Sequence, residues 1–195
     1  MLNHRLLALL LVVLMAGCAS VEKVERGGTA TIGERLSVPT DAAWNQLRGN
    51  FSGTHSAAVW TTEGLFIDQL NFYTGLKDGE ALAASAPGSN QRPLNFRASM
   101  QGHEIAALFE ALYTRDGSRY QLDKLEPVGF LGQSGWRVRF TLVRKFDDVK
   151  LTGSIWATVR DGQLYAITFV APTLAFYPRL APMAEQVATA ARFKS

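Results

Sequence analysis

The sequence predicts a single α+β domain, built on a mainly antiparallel, curved sheet with about three helices. Its length of 195 residues, of which 47% are hydrophobic, is sufficient for one hydrophobic core and excludes intrinsic disorder. Three segments of the last third have the apolar pattern of strands, and an Asp-Gly pair joins the last two. Helical spacing of apolar residues occurs in separate segments between groups of strands, which is typical of the α+β class.

The N-terminal residues have the pattern of an export signal. Arg5 precedes an apolar stretch over residues 6–16, and small residues follow it. A helix of that length extends about 16 Å, which is half of a bilayer core, so the stretch is too short to span a membrane. It is therefore predicted to be a signal peptide.

The end of this stretch resembles the lipobox of bacterial lipoproteins. Leu14-Met15-Ala16-Gly17-Cys18 places small residues before a cysteine, with Met15 where the family most often has leucine. The resemblance implies that the Cys18 thiol receives a diacylglyceryl group, that the signal is cut before it, and that the new amino group is acylated, as with palmitate. The boundaries that follow are 1–17 for the signal peptide, 18–29 for the lipidated cysteine and a short tether, and 30–195 for the domain.

The residues around Cys18 also bear on location and chemistry. Ala19 and Ser20 follow it, and neither is the aspartate that marks inner-membrane retention in this family. The resemblance therefore implies the periplasmic face of an outer membrane, or the outer cell surface in a bacterium with one membrane. Cys18 is the only cysteine, which excludes an intrachain disulfide, and its lipidation would leave no free thiol for cysteine catalysis or a cysteine metal site.

The charge balance argues against nucleic acid as a partner. The chain has 20 Lys and Arg residues against 17 Asp and Glu residues, a net charge of +3. Binding to nucleic acid needs a denser basic cluster than this surplus provides. The predicted partners are the membrane, through acyl chains on Cys18, and an envelope protein or anionic lipid, and the chain is expected to be a monomer.

The first half of the domain is predicted to contain short strands and one short helix. Apolar and polar residues alternate over 30–38, which is typical of a half-buried strand, and Glu34 interrupts its apolar side. Thr40 or Asp41 can cap a short helix over 42–47. The remaining predictions are strands over 59–62 and 65–73 joined at Glu63-Gly64, a turn at 77–79, a short strand over 80–83 and an exposed loop over 84–95.

The second half combines a helix, a meander of three strands and a final helix. The strands cover 136–142, 151–159 and 164–170, with Asp161-Gly162 as the last hairpin turn, and the third is apolar enough to be a central strand covered on both faces. This order of elements resembles the PsbP/Mog1-type α/β sandwich, in which a terminal helix packs across a curved antiparallel sheet. The helices are predicted from Ser99 to Asp116-Gly117, with Ile105, Leu108, Phe109 and Leu112 on one face, and from Pro182 to Phe193.

The sequence predicts no catalytic site, metal site or cofactor. His103-Glu104 begins the middle helix without the His-to-His spacing of a metal ligand set, and His55 has no nucleophile or acidic partner at a recognisable spacing. Asp147-Asp148 fits a turn between two strands, where solvated carboxylates are common. The chain is therefore expected not to be an enzyme.

Five residues of the last third form a candidate face for an anion or a partner: Arg137, Arg139, Arg144, Lys145 and Trp156. Such a stripe suits anionic headgroups or an acidic partner. In the alternative interpretation the arginines are solvated, their aliphatic stems cover the sheet and Trp156 packs under a helix. The second interpretation needs fewer assumptions, because charges on an outward strand face require no special cause.

An apolar segment over 174–180 lies between the last strand and the last helix. It suits either a rim that faces a membrane or ligand, or core packing at a strand-to-helix corner. With the anchor and the lack of a catalytic pattern, the sequence favours a non-catalytic accessory or binding lipoprotein. The alternatives are a carrier of a lipid-like apolar ligand and an envelope enzyme whose site is not visible in sequence.

Overall fold

The computed structural model describes residues 21–47, 54–85 and 91–194. Two helices lie within these residues, α1 (Gly102–Tyr113) and α2 (Tyr177–Ala190). Neither of them combines the length and the apolar character that crossing a bilayer requires. The strands are β1 (Val21–Val24), β2 (Thr29–Ile32), β3 (Leu36–Pro39), β4 (Trp44–Leu47), β5 (Ala58–Thr61), β6 (Gln69–Lys77), β7 (Arg119–Phe130), β8 (Gln133–Val143), β9 (Lys150–Arg160), β10 (Gln163–Pro172) and β11 (Arg192–Phe193).

One large antiparallel sheet carries the fold. Its eight strands lie in the order β1-β4-β5-β6-β10-β9-β8-β7, and a small sheet of order β11-β3-β2 lies beside it. The central pairing joins β6 to β10, which brings the first half of the chain against the C-terminal meander. The predicted α+β class with a mainly antiparallel sheet is confirmed.

Two hydrophobic cores lie on opposite faces of the large sheet. On one face α2 and the small sheet cover Trp44, Trp60 and Trp156. On the other face α1 covers a cluster that includes Phe109 and Phe140. Every residue from Leu164 to Ala171 is buried, since successive side chains of β10 point alternately into the two cores. The predicted central strand, covered on both faces, is confirmed.

The prediction of a helix over 42–47 is wrong, because residues 44–47 form β4 between β1 and β5 and residues 42 and 43 are not helical. Trp44 and Leu47 have the spacing of one helical face, but the buried residues of the strand are Trp44 and Gln46. Gln46 accepts a hydrogen bond of 2.8 Å from the Trp60 indole, so a polar side chain occupies an inward position. This buried amide conceals the alternation of apolar and polar residues that is typical of a strand. The described residues therefore contain two helices instead of the predicted three.

The predicted strand over 30–38 is a hairpin, in which β2 and β3 pair around a tight turn. Gly33 and Glu34 both have positive φ angles, 55° and 59°, as the central residues of a type I′ turn require. Glu34, which interrupts the apolar side of the predicted strand, is the turn itself.

Strand β7 was missed altogether. It forms one edge of the large sheet, and most of its residues are exposed or half-buried. An edge strand with few inward side chains lacks the apolar alternation by which strands are recognised. Strands β8, β9 and β10 form the predicted meander.

Other boundaries differ by a few residues. Helix α2 begins at Tyr177, five residues before the predicted start at Pro182, with Pro178 in its first turn. Residues 21–24, predicted as part of the tether, form β1. Residues 86–90 of the predicted exposed loop lie outside the described residues, as do the predicted signal peptide and Cys18.

Candidate binding surface

Three loops meet at one end of the large sheet. They span residues 62–68 between β5 and β6, 144–149 between β8 and β9, and 173–176 between β10 and α2. Antiparallel pairing fixes their proximity, because Gln69 pairs with Val170, Pro172 with Leu151, and Val143 with Lys150. This end of the sheet therefore collects side chains from distant parts of the sequence.

Each of the three loops exposes one large apolar side chain. Phe66 is 75% exposed, Phe146 is 68% exposed and Leu174 is 93% exposed. Only Val21 and Leu122 are comparable among the other large hydrophobic residues that the structure describes. Grouping of large apolar side chains at one end of a domain marks an interaction surface more strongly than scattered ones do. We call Phe66, Phe146 and Leu174 the apolar tip.

A buried carboxylate shapes the loop that carries Phe66. Asp68 is fully buried, and its Oδ1 accepts hydrogen bonds of 2.8 Å from the Thr61 hydroxyl and the Glu63 amide. Its Oδ2 accepts bonds from the Thr62 amide at 2.8 Å and the Thr62 hydroxyl at 3.3 Å. Four donors compensate for burial of the charge, so the loop is fixed to the end of β6.

Arg144 connects this loop to the one that carries Phe146. Its Nη1 donates to the Phe66 carbonyl at 2.8 Å, and its Nε and Nη2 donate to the two Asp147 oxygens at 3.0 and 2.6 Å. The guanidinium also lies 4.6 Å from the Phe146 ring centroid. The hydrogen bonds from Arg144 lower the pKa of Asp147, which keeps this pair charged. These contacts hold Phe66 and Phe146, two of the three residues of the apolar tip, in place.

A cleft of about 290 Å³ opens beside the tip. Its walls come from the loop of Phe66, the C-terminal end of α1 and the ends of β8, β9 and β10. Most of the floor is apolar and the rim is polar. The floor includes Leu112, Leu142, Leu151 and Val170, and the rim includes Arg115, Asp116, Ser118 and Arg144. We call it the tip cleft.

The five residues of the predicted binding face do not form one face. Arg144 and Lys145 lie at the tip end, where the Lys145 amide donates to the Ser118 hydroxyl at 3.0 Å. Arg137 and Trp156 lie under α2, and Arg139 is exposed on β8. Arg137, Arg139 and Trp156 share one face of the sheet, whereas Arg144 and Lys145 lie in the turn after β8, and the binding role of the five residues stays a prediction.

Arg137 is engaged with its own fold. Its Nη1 and Nη2 donate to Glu185 of α2 at 2.7 and 3.1 Å, and its guanidinium lies 5.3 Å from the Trp156 ring centroid. Trp156 is buried under the helix. The packing of Trp156 under a helix agrees with the alternative interpretation. Arg137 is half-buried and ion-paired, however, so the expectation that both strand arginines are solvated is wrong for Arg137.

The apolar segment over 174–180 divides between both interpretations. Leu174 is exposed at the tip, whereas Leu180, on the first turn of α2, is fully buried against the sheet. Tyr177 stacks on Phe169 with ring centroids 5.9 Å apart. Helix α2 begins at Tyr177, inside the segment. The segment's last residue, Leu180, therefore points into the core, whereas its first residue, Leu174, precedes the helix and stays exposed.

Neither histidine of the described residues belongs to a cluster of functional groups. His55 and His103 are both exposed. No set of three or more His, Cys, Asp or Glu side chains with the arrangement of a metal site occurs in residues 21–47, 54–85 and 91–194.

Sequence reasoning missed Phe66 and Phe146. Phe66 falls within the predicted strand over 65–73, which begins only at Gln69 in the structure, so its place in a loop was not predicted. Phe146 stands beside the turn signal Asp147-Asp148 in a short segment without apolar periodicity. A large aromatic residue in such a segment is a usable signal, because a turn at the surface gives it no core to enter. Their convergence with Leu174 depends on strand register, which the sequence does not fix for distant segments.

No protein-family model matches this chain, and no curated protein sequence matches it. Among solved structures it is similar to the solution structure of cyanobacterial PsbP (CyanoP) from Synechocystis sp. PCC 6803. The similarity has a TM-score of 0.58 at 11% sequence identity and covers 92% of this chain and 95% of that one. At this identity the likeness concerns the fold, and it confirms the PsbP-type resemblance inferred from the order of elements.

Proposed function

We propose that this chain is a non-catalytic accessory or binding lipoprotein, held at the periplasmic face of an outer membrane by acyl chains on Cys18. The observation that carries the binding role is the apolar tip, where three loops each expose a large side chain next to a cleft. The lipobox-type sequence that ends at Cys18 supports the anchor.

The direction of β1 relates the anchor to the tip. Val24 pairs with Trp44, and β4 begins at the tip end of the sheet, so β1 runs from Val21 towards the tip. Cys18 is three residues before Val21, a separation of at most about 10 Å. An anchor at Cys18 thus holds the Val21 end of β1 close to the lipid. The apolar tip lies at the opposite end of β1, away from that attachment point.

The size of the tip cleft favours this role over the alternative of a lipid carrier. Small-molecule sites commonly enclose about 300–1,000 Å³, and the tip cleft has about 290 Å³ and an open mouth. The tip cleft itself thus lies at the lower limit of such sites.

Replacement of Cys18 tests the anchor. We expect Cys18→Ser to leave the signal peptide uncut and to abolish incorporation of a fatty-acid analogue, because serine has no thiol to carry the diacylglyceryl group. Ser20→Ala is the matched control and should be labelled like the wild type. Labelling of Cys18→Ser would contradict the proposal.

Removal of the apolar tip tests the binding role. We expect the triple variant Phe66→Ser, Phe146→Ser, Leu174→Ser to keep its melting temperature within a few degrees, since these side chains bury little area in the fold. Chemical crosslinking in intact envelopes should capture complexes of the wild-type protein, and these complexes should be absent for the triple variant. Leu122→Ser removes an exposed leucine on β7 and should keep them. A triple variant with unchanged complexes would exclude the tip as the binding surface.

A further inference from the structure

The end of the large sheet opposite the apolar tip brings together four cations from separate parts of the chain. They are Arg35, Lys77, Arg160 and Lys194, which we call the basic corner. We infer that the basic corner lies against the anionic headgroups of the membrane in which Cys18 is anchored. This inference rests on the proposed anchor, and it gives the domain a defined orientation on its membrane.

Gln163, the first residue of β10, is the centre of the basic corner. Its backbone pairs with Lys77 of β6 on one side and with Arg160 of β9 on the other. The Arg35 Nη1 donates to the Gln163 Oε1 at 2.6 Å, and the Lys194 amide donates to the Arg35 carbonyl at 2.8 Å. The β2–β3 hairpin and the C-terminal segment therefore add their cations to those of the two strands.

Uncharged partners hold the two arginines of the basic corner. Within the described residues, Arg35 donates only to the Gln163 amide oxygen and, at 2.9 Å, to the Tyr165 hydroxyl. The Arg160 guanidinium lies 4.2 Å from the Phe193 ring centroid. Contacts of this kind fix the position of a guanidinium without neutralising its charge.

The carboxylates near the basic corner leave a surplus of positive charge there. Asp161 lies 3.3 Å from Arg160 with its side chain 80% exposed, and Glu34 lies in the turn beside Arg35 without an ion pair within the described residues. On the α1 side of this end, three carboxylates each accept a hydrogen bond from a backbone amide: Asp78, Glu80 and Glu104. The surplus is therefore confined to the side of the small sheet.

The apolar tip has the opposite charge balance. Its three loops carry two cations, Arg144 and Lys145, and four carboxylates: Glu63, Asp68, Asp147 and Asp148. Lys150, the first residue of β9, reduces this excess of negative charge to one. Because an anionic membrane surface attracts Lys and Arg side chains, the basic corner suits lipid and the tip does not.

The short tether brings the basic corner to the membrane. In the register of the sheet, Val21 is aligned through β4, β5 and β6 with Thr168 of β10. Gln163 lies farther along β10, on the side from which the chain enters β1, by about 17 Å at 3.3 Å per residue. The residues from Cys18 to Val21 reach at most about 10 Å. The projecting end is therefore at the level of the headgroups.

Energy transfer to a labelled membrane tests this inference on the full-length lipidated protein. Ser134→Cys places a fluorophore at the end of the basic corner, and Leu174→Cys places one at the apolar tip. The vesicles contain phosphatidylcholine, about 30% phosphatidylglycerol and an acceptor on a lipid headgroup. We expect stronger transfer from position 134 than from position 174. Equal transfer, or stronger transfer from the tip, would overturn the inference.

Charge reversal locates the contact. Lys77 and Lys194 are exposed and form no ion pair within the described residues. Lys77→Glu with Lys194→Glu should abolish the part of the transfer from position 134 that depends on phosphatidylglycerol, and raising the salt from about 0.1 M to about 0.5 M should reduce it. Lys145→Glu with Lys150→Glu changes the net charge equally at the tip end and should leave the transfer unchanged. Equal effects of the two double variants would show that the inference is wrong.

Failure of the inference and failure of the proposed anchor give different results. The mass of the purified protein shows whether Cys18 carries acyl chains. A protein without them would contradict the anchor, and the membrane contact that rests on it would fail as well. A lipidated protein whose transfer is the same with and without phosphatidylglycerol would contradict the inference alone.

Discussion

At the scale of single residues, the position of Phe66 depends on the buried carboxylate of Asp68. We expect Asp68→Ala to lower the free energy of unfolding by about 2–4 kcal/mol, because the Thr61, Thr62 and Glu63 donors lose their acceptor. Chemical denaturation measures this loss. Asp41→Ala, at an exposed carboxylate, should change the free energy by less than about 0.5 kcal/mol. A loss for Asp68→Ala no larger than for Asp41→Ala would contradict the role of Asp68.

Two arginines of β8 should respond differently to the same substitution. Arg137→Ala removes a two-point ion pair with Glu185 and the cover of Trp156, so we expect it to cost about 1–2 kcal/mol of unfolding free energy. Arg139 is exposed on the same strand, and Arg139→Ala should stay within about 0.5 kcal/mol. Thermal and chemical denaturation of the two variants compare them directly. Equal losses would show that the pairing seen for Arg137 contributes nothing.

The sequence is least informative about the contacts that single side chains make. Trp156 and the strand arginines were recognised as one polar pattern, but nothing in the pattern distinguishes Arg137, which meets Glu185, from Arg139, which meets water. The partner of Arg137 is 48 positions away in the chain. Contacts of that kind follow from the packing of α2 on the sheet, and local periodicity carries no information about them.

At the scale of elements, β8 and β9 are held together by a ring placed over a glycine. Phe140 pairs directly with Gly153, and a Cβ atom at Gly153 would lie 2.2 Å from that ring. We expect Gly153→Ala to lower the free energy of unfolding by about 1–3 kcal/mol through overpacking. At Gly129 of β7 a Cβ atom meets nothing within 4 Å, so Gly129→Ala should be neutral or slightly stabilising. Thermal denaturation of both variants tests this, and equal shifts would contradict the packing.

Helix α1 and strands β6 and β7 bury tyrosines that make the fold sensitive to alkali. Burial raises the pKa of Tyr113 to about 12, although its hydrogen bond with Thr168 opposes the rise. Burial also raises the pKa of Tyr73 and of Tyr120. Each folded pKa lies above the unfolded value of about 10, so the stabilisation is complete below pH 10 and is lost as the pH rises through the folded value.

We therefore expect the free energy of unfolding to fall by more than about 1 kcal/mol between pH 10 and pH 12. Urea denaturation as a function of pH measures this decline. Tyr120→Phe is the informative variant, because the Tyr120 hydroxyl is buried without a hydrogen-bond partner among the described residues. That variant should keep its stability at neutral pH and decline less steeply. A constant free energy from pH 9 to pH 12 would contradict the burial of these tyrosines.

Elements were predicted well where one periodicity dominates and poorly where a polar group is buried or a strand lies at an edge. The meander of β8, β9 and β10 is legible because its inward residues are apolar along the whole length. Gln46 conceals β4, and exposed residues conceal β7. In both cases tertiary context, rather than local propensity, decides the structure.

At the scale of the whole molecule, the fold follows from the order of elements, whereas the surface does not. The antiparallel α+β architecture could be predicted because hairpin-linked strands and segregated helices allow few arrangements. The apolar tip unites residues 66, 146 and 174, which come close only after β6, β10, β9 and β8 have paired in register. The sequence shows each of these residues separately and does not show that they meet.

We propose that the apolar tip is the surface through which this protein binds a partner. Photo-crosslinking in intact cells tests it most directly, with a photoreactive phenylalanine analogue placed in turn at Phe66, Phe146, Leu174, Leu122 and Lys77. We expect the three tip positions to yield the same crosslinked species, and Leu122 and Lys77 not to yield it. Crosslinks confined to Leu122 or Lys77, or none at the tip, would contradict it.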